Sequence, residues 1–268
     1  MSALAPTVTL ARRRFALTAR TPRELFVPLL TPVLFAVVIA PALKEAVGGF
    51  RGGGIDYESF VAIATVGLLI PLNAMFAGIG VIVDRESGAR RELLAAPIHR
   101  SLLVLGNLSV AVAVTGLQLA ALITAAALRG VHFSASATGA LWFVAAAGLF
   151  AIGMYGIAET LANRIPRQEE YVAATPAIAI VPWFFAGSLF PIGALPAPLT
   201  VLAKVLPLTH ALALMRYGLV DDRGAGLHDI WGPGNTTVMA ALSLAVVAVF
   251  AVAFTAIAIG VFRRSAVT

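Results

Sequence analysis

The chain has 268 residues, 60% hydrophobic and 12% charged, with mean hydropathy +0.94 and a net charge of +6. That balance excludes a soluble globular domain, and the lack of cysteine excludes disulfides, thiolate metal sites and cysteine nucleophiles. Apolar runs of about 18 residues or more can cross a bilayer as helices, which satisfy their own backbone polar groups; the two-residue alternation of a membrane barrel is missing.

In chain order, Thr7–Arg20 reads as a basic helix lying on the membrane surface. Val8, Ala11, Phe15 and Ala19 form its apolar stripe, and Arg12, Arg13 and Arg14 face the headgroups. Thr21, Pro22 and Glu24 then form a helix start with a capping box. Six spans follow, over Phe26–Leu43, Phe60–Val83, Leu102–Leu128, Thr138–Leu161, Val172–Leu189 and Val238–Phe262. The charged start, the first apolar run and Ala40-Pro41-Ala42 imitate a secretory signal, and ARRRFAL imitates a twin-arginine signal. Pro41 suits a cleavage site badly and cleavage would leave five spans, so this segment is read as an uncleaved first span.

Between the first two spans, Gly48–Ser59 reads as a flexible external loop. Asn73 in the second span can line a path or bond a neighbouring helix, and packing is the favoured reading. Glu159 is the acid placed inside a span, where a carboxylate defaults to a functional hypothesis. Asn163 and Arg164 lie about a turn away, which favours a structural pair or snorkelling to the interface. Gly153 and Gly156 are expected to admit another helix closely. The region from Phe190 to Thr237 is too long for a turn and too apolar for a solvated loop. Its short apolar stretches, punctuated by Pro191, Pro196, Pro198 and Pro207, predict a helical hairpin dipping into the outer leaflet.

The positive charges orient these spans. With the N-terminus inside, thirteen of the nineteen Lys and Arg residues fall on the cytoplasmic side, among them Arg85, Arg90, Arg91, Arg100, Arg164, Arg167, Arg263 and Arg264. Both termini are therefore expected in the cytoplasm, and the basic excess is an orientation signal rather than a nucleic-acid footprint. Enzyme chemistry is missing from the motifs. The lysines, Lys44 and Lys204, stand in no nucleotide-binding loop. The histidines are scattered, and no GxSxG or HExxH motif occurs. The chain is not expected to be an enzyme, to bind a cofactor or to hold a metal.

One connector stands out. DRESGARRELLAAPIHR, from Asp84 to Arg100, is densely charged between two apolar spans. Gly88 frees the chain, residues 89–96 are strong helix formers, and Pro97 stops them. Leu93 and Leu94 form a small apolar side among Arg90, Arg91 and Glu92. Such a helix can dock into a groove of another protein, or it is a solvated turn; the residues alone leave both open.

This run resembles the cytoplasmic signature of type-2 ABC exporter permeases, with Glu86, Gly88, Leu93, Leu94, Pro97 and Arg100 in the motif positions. A second similarity follows the fifth span, where Gly187, Phe190, Pro191, Leu195, Pro196, Pro207, Leu208, Thr209 and Arg216 fit the family's order. The resemblance covers nearly the whole chain.

The resemblance implies one all-α membrane permease domain over residues 1–268. Its parts are a surface segment (1–23), five spans (24–189), an external re-entrant hairpin (190–237) and a last span with a cytoplasmic tail (238–268). It implies a coupling helix docking a separate ABC ATP-binding subunit through Glu86, Gly88, Arg90, Arg91, Leu93, Leu94, Pro97 and Arg100. Arg90 and Arg91 make this helix more basic than the family's usual one, which bears on partner choice. Asn73, Glu159, Phe190 and Pro191 are the candidates for pathway or packing. ATP and Mg would be used by the partner, and a second permease, identical or related, would complete a dimer in a bacterial inner membrane. An amphiphile such as a drug, antibiotic or lipid is the expected cargo. A lipid-linked glycan and ion-coupled secondary transport are the alternatives.

Overall fold

The computed structural model describes residues 56–89, 95, 99–133 and 136–265, with residues 12, 16, 26, 29, 30, 33–39, 41 and 42 nearer the start. All regular structure among them is helical: α1 (Tyr57–Glu86), α2 (Arg100–Leu128), α3 (Ala137–Arg164), α4 (Gln168–Ala179), α5 (Val181–Phe185), α6 (Ala197–Val205), α7 (Pro207–Leu219), α8 (Ala225–Trp231) and α9 (Thr236–Ser265). A π-helical turn at Phe35–Ile39 and a 3-10 turn at Ile192–Ala194 complete them.

Local chemistry sets the helix ends. Asp56 caps α1 by accepting from the Glu58 N–H at 3.2 Å, and Ser136 caps α3 by accepting from the Gly139 N–H at 2.9 Å. α3 stops at Ile165, which is extended because Pro166 follows it. α1 stops where Gly88 takes φ +81°, a backbone that residues with a Cβ adopt at a cost of about 1–2 kcal/mol. Pro71 lies inside α1 without ending it, as membrane helices allow.

Four helices, α1, α2, α3 and α9, are long and apolar enough to cross a membrane. The pair α6 and α7, bent by 79° at Leu206–Pro207, raises the number to five if it counts as one broken span. The expected fifth span, Val172–Leu189, is not one rod. Residues 172–179 fall in α4, which begins at Gln168, Val181–Phe185 form the separate α5, and residues 186–189 lie in the turn after it. Pro182 at the start of α5 has no N–H to bond back, so the helix breaks at Ile180. The expected first span is described only in part, with the π-helical turn resting on α1. The predicted surface helix, apart from Arg12 and Ala16, lies outside the described residues.

α3 is the hub, packed on α9, α1 and α7. The α3–α9 seam runs over glycines, as the sequence suggested. A Cβ at Gly156 would sit 2.6 Å from the Phe254 carbonyl carbon, and one at Gly153 would strike the Phe250 ring. Phe250 stacks on Phe150 at 5.9 Å between ring centroids, filling the space the glycine leaves. α3 and α7 meet backbone to backbone at Gly139 and Gly218. Trp183 of α5 is fully buried and donates from Nε1 to Ala64 O of α1 at 2.7 Å. That bond ties the broken fifth segment to the bundle.

Candidate functional site

Between α1, α2, α3 and α9 lies a cleft of about 830 Å³, its open mouth included. Its walls are aliphatic apart from Phe76, and its polar lining is Asn73, Asn107, Tyr155, Glu159 and Thr255. No lysine or arginine among the described residues lines it. Three of these groups have hydrogen-bond partners in the bundle. Asn73 is buried and donates from Nδ2 to Gln118 Oε1 across the α1–α2 contact. Tyr155 donates to Ala111 O at 3.0 Å, and its hydroxyl meets Thr115 Oγ1 at 2.8 Å. Glu159 is 8% exposed, and Asn163, one turn on, donates to its Oε1 at 3.1 Å. Arg164, the partner foreseen from sequence, is exposed. Thr255 Oγ1 is buried without a hydrogen-bond partner among the described residues. The chemistry on offer is a largely apolar wall with one carboxylate and a few hydroxyl and amide groups, and no reactive pair.

After α1, the connector's described residues are Glu86, exposed at the last turn of that helix, then Ser87, Gly88, Ala89, Ala95 and His99. Arg90, Arg91, Leu93, Leu94 and Pro97 lie outside the described residues, and Arg100 is the first residue of α2. The structure adds a residue that sequence reasoning used only as a topological charge. Arg85 donates from Nη1 to Ala162 O (2.9 Å) and from Nη2 to Ile165 O (3.0 Å) and Pro166 O (2.8 Å). These carbonyls end α3 and lack intrahelical donors, and the positive charge suits the negative pole of the helix. A second tie lies alongside. Buried Tyr171 of α4 presses its hydroxyl where a Cβ at Gly78 of α1 would stand. The end of α1, which leads into the connector, is therefore bound to the α3–α4 corner.

On the other side of the bundle, Phe190 and Pro191 sit in the turn after α5, far along the chain from Glu159. Pro191 lines a second cavity with Phe60 and Arg216. The sequence-named candidates thus divide between two places, Asn73 and Glu159 in one, Pro191 in the other. Arg216, read from sequence only as a position in the family's motif order, is the more extensively bonded. It is 5% exposed, and its guanidinium lies 3.5 Å from the centroid of the Phe60 ring. Nη1 donates to Gly187 O at 2.8 Å, and Nη2 donates to Ser188 O at 3.1 Å and Phe60 O at 3.3 Å. A lone cation within the apolar run HALALMRYGL was the available signal.

A sequence-family model described as ABC-2 type transporter matches residues 6–220, from the basic start through both motif regions to the end of α7. The chain belongs to the ABC-2 type transporter family. Nodulation protein J of Sinorhizobium fredii is 26% identical over 216 residues, covering 80% of this chain and 76% of that protein. The protein named as putative transport permease ycf38 in Porphyra purpurea is 22% identical, over 78% of this chain and 72% of its own length. Nodulation protein J of Rhizobium leguminosarum bv. trifolii is 26% identical over 69% of this chain and 70% of that protein. As an ABC-2 chain, this is a multi-pass membrane permease, and its family implies an ABC ATP-binding partner.

Proposed function

We propose that this permease is the membrane subunit of an ATP-driven exporter that moves an amphiphile out across a bacterial inner membrane. The observation that carries the reading is the cleft. An aliphatic wall accepts an acyl or ring surface, while Glu159, Asn73 and Tyr155 offer fixed polar groups to a head. ATP and Mg are used by a separate subunit, and a second permease completes the assembly. Glu159→Gln tests the reading, because glutamine still accepts from Asn163 and only the charge is lost. Transport per folded molecule is expected to fall several-fold at unchanged yield. Unchanged transport would mean that the cleft does not carry the cargo.

Coupling to the partner is assigned to Gly88–Arg100, with Leu93 and Leu94 as apolar anchors and Arg90, Arg91 and Arg100 setting partner choice. Burying two leucines stabilises docking by about 3–6 kcal/mol before ordering and association costs. Leu93→Ala with Leu94→Ala is expected to weaken capture of the ATPase and to uncouple hydrolysis from export. Co-purification and substrate-stimulated hydrolysis measure both, and full binding with full coupling would reduce the connector to a solvated turn.

The proposed orientation has six crossings, the fifth built from α4 and α5, with both termini in the cytoplasm. Single cysteines at positions 53 and 90 are expected to react and to be shielded, respectively, when intact cells meet a membrane-impermeant reagent. Labelling at 90 would reverse the assignment.

A further inference from the structure

The second cavity, of about 570 Å³ with its mouth, is bounded by the start of α1, the turn from Ala186 to Ile192, α7 and α8. Its polar lining is Thr209, Arg216, Asp221 and Asp229. Thr209, Arg216 and Asp221 are each at least nine-tenths buried. Such a set of groups needs partners, so what each still offers indicates what the cavity holds.

Arg216 offers little. Its N–H groups are directed to the carbonyls of Phe60, Gly187 and Ser188, and its face rests on the Phe60 ring. The guanidinium is committed to the framework and is not an open anion site. Asp221 accepts from the Gly224 N–H through Oδ1 at 3.1 Å, which leaves its second oxygen with acceptor capacity. Thr209 Oγ1 is buried, lines the space and has no hydrogen-bond partner among the described residues. Asp229 is half-buried; burial holds its carboxyl above the usual carboxylate range, partly offset by Lys204 and Arg216.

The free groups are therefore mostly acceptors, and a ligand here must donate. An anionic head would face two carboxylates. A cationic head gains little, because Arg216 and Lys204 already balance Asp221 and Asp229. A neutral donor remains, and a hydroxyl suits it, because hydroxyls that bond to carboxylates make charge-assisted, strong hydrogen bonds.

We propose that this cavity binds a neutral, hydroxyl-bearing head group, with the Asp221 and Asp229 carboxylates accepting its hydroxyl protons and Thr209 completing the set. The proposal rests on the export reading for its biological cargo, but the binding itself needs neither ATP nor the partner subunit.

The chain has no cysteine, so Ala225→Cys places a single thiol on the cavity wall. The full-length variant, in phosphatidylcholine discs, is reacted with a small maleimide. Octyl glucoside, octyl sulfate or octyltrimethylammonium is present below its micelle-forming concentration. These three probes share a tail and differ only in the head. The glucoside is expected to slow labelling about fivefold or more, roughly 1 kcal/mol of occupancy, and the charged probes much less. Adding Asp229→Asn, or separately Thr209→Val, is expected to abolish most of that protection at an unchanged unfolding midpoint. Equal slowing by all three probes would show an apolar tail effect, and no slowing by the glucoside would show an unoccupied cavity; either overturns the proposal. Discs of phosphatidylcholine mixed with a neutral monoglucosyl diacylglycerol separate the sources of the head. Slow labelling there without any probe would support the same chemistry with a bilayer lipid as its bearer. Because no ATPase is present, failure of the export reading would leave this result standing.

Discussion

Replacing Arg216 with alanine is expected to lower the yield and the unfolding midpoint of the permease substantially. The side chain donates to carbonyls on α1 and on the turn after α5, and it balances Asp221 and Asp229 across the same space. Without it, Gly187 O and Ser188 O lose buried donors, at about 1–3 kcal/mol each, and two acids lose their compensating charge. The adjoining cavity can admit water, which lowers that cost. A loss of about 3–5 kcal/mol is still a large part of a total stability of about 5–15 kcal/mol. Arg216→Lys keeps the charge but not the planar fork, so it is expected to fall between the two. Yield of monodisperse protein in mild detergent and the midpoint of thermal unfolding measure the effect. An Arg216→Ala protein with the parent's yield and midpoint would show that this end of the bundle is held elsewhere.

The second large effect is expected at Gly156. A Cβ there would lie 2.6 Å from the Phe254 carbonyl carbon and 2.8 Å from Thr255 N, and neither is a flexible side chain that can swing aside. α3 and α9 would have to separate. Within a membrane such a seam is held by close van der Waals packing, which lipid tails replace poorly. Gly156→Ala is expected to destabilise by about 1–3 kcal/mol through overpacking, more than its gain in helix propensity of about 1 kcal/mol. Gly148→Ala, in the same helix, meets nothing within 4 Å and is expected to be neutral or stabilising. The pair controls for propensity, and similar midpoints for the two variants would refute the close-packed seam.

Helix type and membrane placement were written along the chain because both are local. Apolar length makes a crossing helix, and α1, α2, α3 and α9 stand where the second, third, fourth and sixth runs were read. The capping of α3 by Ser136, its stop before Pro166 and the turn at Gly88 are local in the same way. The family was legible too, since DRESG and the Phe-Pro to Pro-Leu-Thr order are contiguous patterns.

What sequence could not supply were the partners. That Gly153 and Gly156 admit a helix was readable, but that α9 is the helix required the fold. The fifth run looked continuous because hydropathy does not register a missing N–H; Pro182 breaks it after Ile180. Asn73 and Glu159 were visible as polar residues in apolar runs. Their common cleft was not, because it forms only when four helices pack together. Arg85 and Arg216 show the difference most directly. In one dimension Arg85 is an orienting positive charge and Arg216 a position in a motif order. Folding brings Arg85 to carbonyls about eighty residues away and Arg216 to Phe60, Gly187 and Ser188. Composition and spacing therefore determined the solvent, the helices and the family of this chain. Only the tertiary structure decided which buried polar groups meet, because a backbone carbonyl carries no sequence signal and is chosen as a partner by geometry alone.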